Sequence, residues 1–332
     1  MQEDIPETNA PRRNLHWMLY GSEGLRAVWS IVLFVAIIVL CVIVVRAGAP
    51  HMPAAIKPYL HMDKEMPPWL PILQDGIGIV VTFLAAWIVS RVEPRHFGRY
   101  GVDALRSRRL RQFAVGCGWG LLLLTVLVVV LHVSGFLAWN GVLLHGTSVL
   151  TWGFLWAVAF LAVGLFEEFF MRGFLQFTVA RGITTIARAT GRSNQWAHIF
   201  GFWAAAVFFS LLFALGHKGN AGESPIGLLS AGLIGLVFAF SLWRTGSLWW
   251  AIGFHTAWDW AQSFVWGVAD SGGVSQHRLL STQPQGSVLL SGGLTGPEGS
   301  ILVLPIVLIT ALVIATTLKP EPDSPAAQAN LP

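Results

Sequence analysis

The chain has 332 residues, of which 54% are hydrophobic and only 11% charged, with a net charge of +4. A soluble domain carries roughly 25% charged residues, so a chain with a mean hydropathy of +0.62 cannot cover a water-facing surface. Soluble enzymes and nucleic-acid binders are thereby set aside, and the apolar runs are long enough for about eight membrane crossings.

Residues 1–27 mix both charge signs with two prolines and read as a solvated, cytoplasmic N-terminal tail without a cleavable signal peptide. The first span is Val28–Val45, almost pure Val, Ile and Leu. A Pro-rich surface loop, 46–70, leads to the second span, Pro71–Ser90, where Asp75 reads as a boundary residue. The segment Arg91–Arg111 holds seven arginines, and Phe113–Val133 is the third span. Residues 28–147 thus form an N-terminal three-helix membrane region. Positions 134–148 contain no Lys or Arg. The positive-inside rule places the arginine loop in the cytoplasm and this loop outside.

A fourth apolar run begins near Val149 and passes straight through Glu167 and Glu168. Its preferred form is a helix of about 30 residues running past Phe177, about 45 Å long, which would keep Glu167 beneath the surface. Arg181–Trp196 is polar, with Arg181, Arg188 and Arg192 at amphipathic spacing. The fifth span is Ala197–Leu215, followed by the polar break Gly216–Pro225 and the sixth span, Ile226–Trp243. Arg244-Thr-Gly is a tight turn, and Ser247–Trp266 is the seventh span. Residues 268–299, rich in Gly, Ser and Gln, read as a flexible outer loop. The eighth helix lies within 300–318, and the Pro- and Ala-rich tail 319–332 reads as disordered. Eight spans put both termini in the cytoplasm. The fold class is all-α: a polytopic membrane protein with a polar intramembrane cavity. Cys41 and Cys117, both in apolar runs, have neither disulfide nor metal-ligand spacing.

Three polar constellations sit on these helices. In Glu167-Glu168-x-x-x-Arg172, Glu168 and Arg172 are four apart and can pair. Glu167 lies about 100° around the helix and has no such local partner. Ionisable residues inside a membrane are costly and are read as functional. The second constellation is Phe213-x-x-x-His217, with Asn220 just after it. The third is His255-x-x-x-Asp259, imidazole and carboxylate on one helical face. One free carboxylate, two imidazoles and one further acid are a general-base set able to activate water and stabilise an oxyanion.

The order of these motifs resembles the CPBP (Abi) family of intramembrane peptidases, which process CAAX-prenyl proteins and bacteriocins and are related to the Ras-converting CAAX endopeptidase. The resemblance covers roughly residues 148–265 and makes 148–267 a catalytic core. It implies peptide-bond hydrolysis in a membrane-associated or lipidated protein or peptide. Glu167 and His217 would activate the water, His255 and Asp259 would form the oxyanion side, and Glu168 with Arg172 would brace Glu167; Phe213 and Asn220 would support the site. Many members have Asn where this chain has Asp259, so Asp259 is also a candidate for orienting His255. No cofactor is expected; the alternative is zinc on Glu167, His217 and His255. Partners are membrane lipids and the substrate, with no nucleic acid, in a bacterial cell (inner) membrane. The rival readings are a non-catalytic immunity or signalling protein built on the same cavity, and a proton-coupled transporter, which would want inverted repeats that the sequence does not display.

Overall fold

The computed structural model describes residues 16–21, 24–51, 54, 65–322 and 324–329. Most of the expected N-terminal tail and much of the 46–70 loop lie outside these. Six helices are long and apolar enough to cross a membrane: α1 Ala27–Gly48, α2 Trp69–Val92, α3 Ser107–Val133, α4 Thr147–Ala189, α5 Asn194–His217 and α6 Pro225–Thr245. The seventh and eighth spans are shorter helices. They are α7, Trp249–Trp260 with a π-helical continuation Ala261–Val265, and α8, Val303–Thr317. The chain is an all-α, multi-pass membrane protein.

α4 settles the depth of Glu167. It runs unbroken for 43 residues, about 64 Å at 1.5 Å per residue, with a π-helical stretch at Phe169–Gln176. Arg181–Trp196 is therefore no separate insertion. It is the end of α4, a tight turn, and the start of α5, where the Ser193 hydroxyl accepts from the Trp196 N–H at 3.2 Å. Glu167 lies 22 residues before the end of α4, and His217 lies 23 residues after the start of α5. An antiparallel hairpin brings residues equidistant from its turn to one level, so these two groups share a depth.

Close helix packing fixes α7. An added Cβ on Gly116 would fall 2.2 Å from the Trp250 carbonyl oxygen, and one on Gly120 would fall 2.3 Å from that of Phe254. From the other side, an added Cβ on Gly253 would fall 2.2 Å from the Phe113 carbonyl oxygen. In lipid, where no hydrophobic force drives helices together, small residues that admit close backbone approach supply the packing. Those glycines seat α7, and hence His255, against α3.

The helices run between two ends. At one end, Arg181 donates to the Leu25 carbonyl and to Glu93, Arg108 and Arg109 pair with Glu321, and the Trp249 indole donates to the Asp103 carbonyl. The described parts of both chain ends lie here. The far end is capped by β1 (Leu137–Val142), paired antiparallel with β2 (Leu280–Pro284). The segment 268–299, expected to be a flexible loop, is folded: Ser275, Ser291, Thr295 and Pro297 are buried, and the Thr295 hydroxyl donates to the Gly222 carbonyl at 2.8 Å. The tail after Lys319 also departs from the expected disorder. Glu321 is clamped by Arg109 and Gln112 at 2.8 and 2.7 Å, and Ser324 is fully buried at the start of a short helix, Pro325–Gln328. Its Pro and Ala content suggested a chain without a core, but a single acid aimed at a cluster of arginines docks it.

Candidate active site

A cavity of about 590 Å³ lies between α2, α4, α5, α6, α7 and α8 and the folded far-end segment. Glu167, His217, Asn220, Phe213, His255 and Asp259 all line it. The α4–α5 hairpin delivers Glu167 and His217, and the glycine-packed α7 delivers His255 and Asp259.

His255 is the hub. Its Nδ1 lies 3.1 Å from Glu168 Oε1. Its Nε2 lies 3.4 Å from Asp259 Oδ2 and 3.7 Å from Glu167 Oε2. A carboxylate can only accept, so Nδ1–H donates to Glu168. Nε2 then faces two further carboxylate oxygens, an arrangement that repels unless a proton is shared among the three. His217 is held differently: its Nδ1 is 2.8 Å from the Phe213 carbonyl oxygen. A carbonyl also only accepts, so Nδ1 carries the hydrogen and Nε2 is left with a free lone pair.

Glu168 and Arg172 pair with each other, and Glu168 also holds His255. Glu168 is fully buried, and its Oε1 takes the Arg172 Nη1–H at 2.6 Å as well as the His255 Nδ1–H. Arg172 is itself buried; its Nε donates to the Gly235 carbonyl oxygen at 3.3 Å, and its guanidinium sits 4.7 Å from the Phe213 ring centroid and 5.5 Å from that of Phe238. The pair therefore anchors His255, and the Phe213 ring links Arg172 to His217, whose ring centroid is 4.6 Å away. Glu167, by contrast, has a side chain 29% exposed in the cavity.

Several acids that line the cavity carry no functional assignment from the sequence. Asp75, read as a boundary residue, lines it from the first turns of α2. Its position inside an apolar helix was the available signal. Glu223, Asp270 and Glu298 also line it. They come from polar turns and from the segment read as flexible, where single residues carry no helical spacing to mark them. The Ser263 hydroxyl donates to Asp270 Oδ2 at 3.0 Å, and the Trp258 indole donates to Glu298 Oε1 at 2.9 Å. Burial, and then the neighbouring charge of Asp270, pushes the Glu298 carboxyl above its usual range. Burial raises Asp270 too, against the lowering effect of the Ser263 hydrogen bond.

Among the described residues, the groups whose ligand atoms gather within 4.8 Å of one another are Asp259, Asp270 and Glu298, not Glu167, His217 and His255. The gathered set offers only carboxylate oxygens, the ligand chemistry of hard cations such as Ca²⁺ or Mg²⁺ rather than of zinc.

No curated protein and no solved structure matches the chain. A family model described as type II CAAX prenyl endopeptidase, Rce1-like, matches residues 149–261, which contain Glu167, Glu168, Arg172, His217, His255 and Asp259. Residues 149–261 thus belong to the Rce1-like family of CAAX-type intramembrane endopeptidases.

Proposed function

We propose that this protein is an intramembrane endopeptidase that hydrolyses a peptide bond in a membrane-associated or lipidated protein or peptide with water activated by Glu167 and His217. One observation carries the reading: the partly exposed Glu167 carboxylate lies 3.7 Å from His255 Nε2 in a cavity that His217 also lines. Water held between Glu167 and His217 Nε2 loses its proton to the carboxylate as its oxygen attacks the carbonyl carbon. The protonated His255, fixed through Nδ1–H to Glu168, presents Nε2–H to the oxygen that becomes negative. Asp259 stands beside that nitrogen and keeps the ring charged and aimed. When the C–N bond breaks, the proton on Glu167 passes to the leaving amine. No cofactor enters these steps, and Glu168 and Arg172 act only by holding His255.

The arginine-rich end belongs in the cytoplasm of a bacterial cell membrane by the positive-inside rule, with both termini there. The test compares peptides in membranes of cells carrying the wild-type chain, Glu167→Gln or His217→Ala at matched protein levels. Cleavage products present only with the wild type support the reading. Products unchanged in Glu167→Gln overturn it and favour a non-catalytic or transport role.

A further inference from the structure

The side from which a substrate reaches the cavity follows from charge and geometry together. The segments 91–111 and 181–192 hold ten arginines, and contacts at one end of the bundle gather both. At the far end, residues 134–146 have no Lys or Arg, the 46–70 connection has Arg46, Lys57 and Lys64, the α5–α6 turn has Lys218, and residues 267–302 have only Arg278, which pairs with Glu65 at 2.5 Å. The cavity's polar wall is built from this far end: Asp75 in the first turns of α2, Asn220 and Glu223 in the α5–α6 turn, and Asp270 and Glu298 in the 268–299 segment.

Depth agrees. α1 is the helix least covered by protein and marks the slab; its 22 residues span about 33 Å, close to one hydrocarbon core. Gly182 of α4 packs directly on Ala27 at the arginine-rich start of α1. Glu167 is 15 residues up α4 from that point, about 22 Å. It therefore sits in the far third of the membrane, with the nearer two thirds filled by the aromatic layer of Phe34, Phe169, Phe174 and Tyr100. Among the described residues that layer is buried apolar packing, whereas the acids and the amide of the cavity wall lie on its far side.

We infer that the cavity opens on the membrane face opposite the arginine-rich loops, so that its substrates are membrane-anchored chains whose scissile bond is presented on the extracytoplasmic side: exported lipidated peptides, or the outer flank of a transmembrane segment. The substrate class rests on the peptidase reading; the direction of opening does not. Cytoplasmic tails of membrane proteins are excluded as substrates.

The test is thiol labelling of the full chain in intact cells, with Cys41 and Cys117 replaced by Ala. Single cysteines are placed at Ser271→Cys in the cavity wall, Asn140→Cys on the far-end hairpin, and Gln195→Cys at the arginine-rich end. A membrane-impermeant maleimide is applied before or after permeabilisation. The expected result is equal labelling of S271C and N140C before and after, and labelling of Q195C only after. Labelling of S271C only after permeabilisation overturns the inference, whether or not N140C reacts. N140C separates an inverted protein from a cavity closed to the outside. Since the readout needs no catalysis, an inactive protein with outward-facing S271C would refute the peptidase reading alone, and an active one with inward-facing S271C would refute this inference alone.

Discussion

Two layers of this molecule lie side by side along α4 and treat adjacent glutamates in opposite ways. In the dry layer, Glu168 and Arg172 are buried at 0% and 2% side-chain exposure, locked together and to His255. In the cavity layer one residue away, Glu167 is 29% exposed and has no lysine or arginine among its neighbours in the wall. The same side chain is thus sealed against an arginine and an imidazole in one layer and faces the cavity in the other. The 100° between successive helical residues is enough to separate the two environments.

The difference can be broken from either side. The largest expected effect is on the cavity layer: Glu167→Gln should cut turnover by about 10³-fold, within the usual range for a lost general base, and leave the thermal midpoint of the purified protein unchanged. Next comes the dry layer. Arg172→Leu leaves Glu168 buried without its main partner and should cost about 3 kcal/mol of stability, read as a lower denaturation midpoint. The double variant Glu168→Gln with Arg172→Leu should recover part of that loss, because no uncompensated charge remains. Gly120→Leu would force α3 from the backbone of α7 and should cost about 2 kcal/mol, with activity falling as His255 is displaced. The last effect is graded in pH and concerns the far-end acids. Glu298 is raised from 4.5 to about 8 by burial and by Asp270. The folded chain then holds a proton that the unfolded chain has released, so this contribution is complete below about pH 4.5 and is lost as pH rises through about 8. Stability should fall across that window by at most about 1.4 kcal/mol per pH unit, and Glu298→Gln should flatten the slope in a denaturation series against pH.

Much of this was legible in the sequence, for reasons tied to periodicity. Eight apolar runs mark eight helices, two of them short, and the i to i+4 pairs Glu168–Arg172 and His255–Asp259 announce contacts that need no tertiary knowledge. The role of Glu168 was not legible, because its second partner, His255, is 87 residues away. Nor was the shared depth of Glu167 and His217, which depends on where the α4–α5 hairpin turns. The 268–299 segment misled by composition: its glycines suggested flexibility, yet Gly272 and Gly296 hold φ of 85° and 98° where an added Cβ would meet backbone oxygens at 2.1 and 2.0 Å. Those glycines are there for close approach, and the fold they permit carries Asp270 and Glu298 into the cavity.

The most direct measurement sets the two adjacent acids against each other: turnover and thermal midpoint of Glu167→Gln and Glu168→Gln, in one membrane preparation. The account predicts a stable, inactive Glu167→Gln and a destabilised Glu168→Gln that still cleaves at a reduced rate. A Glu167→Gln protein that cleaves at the wild-type rate would contradict it.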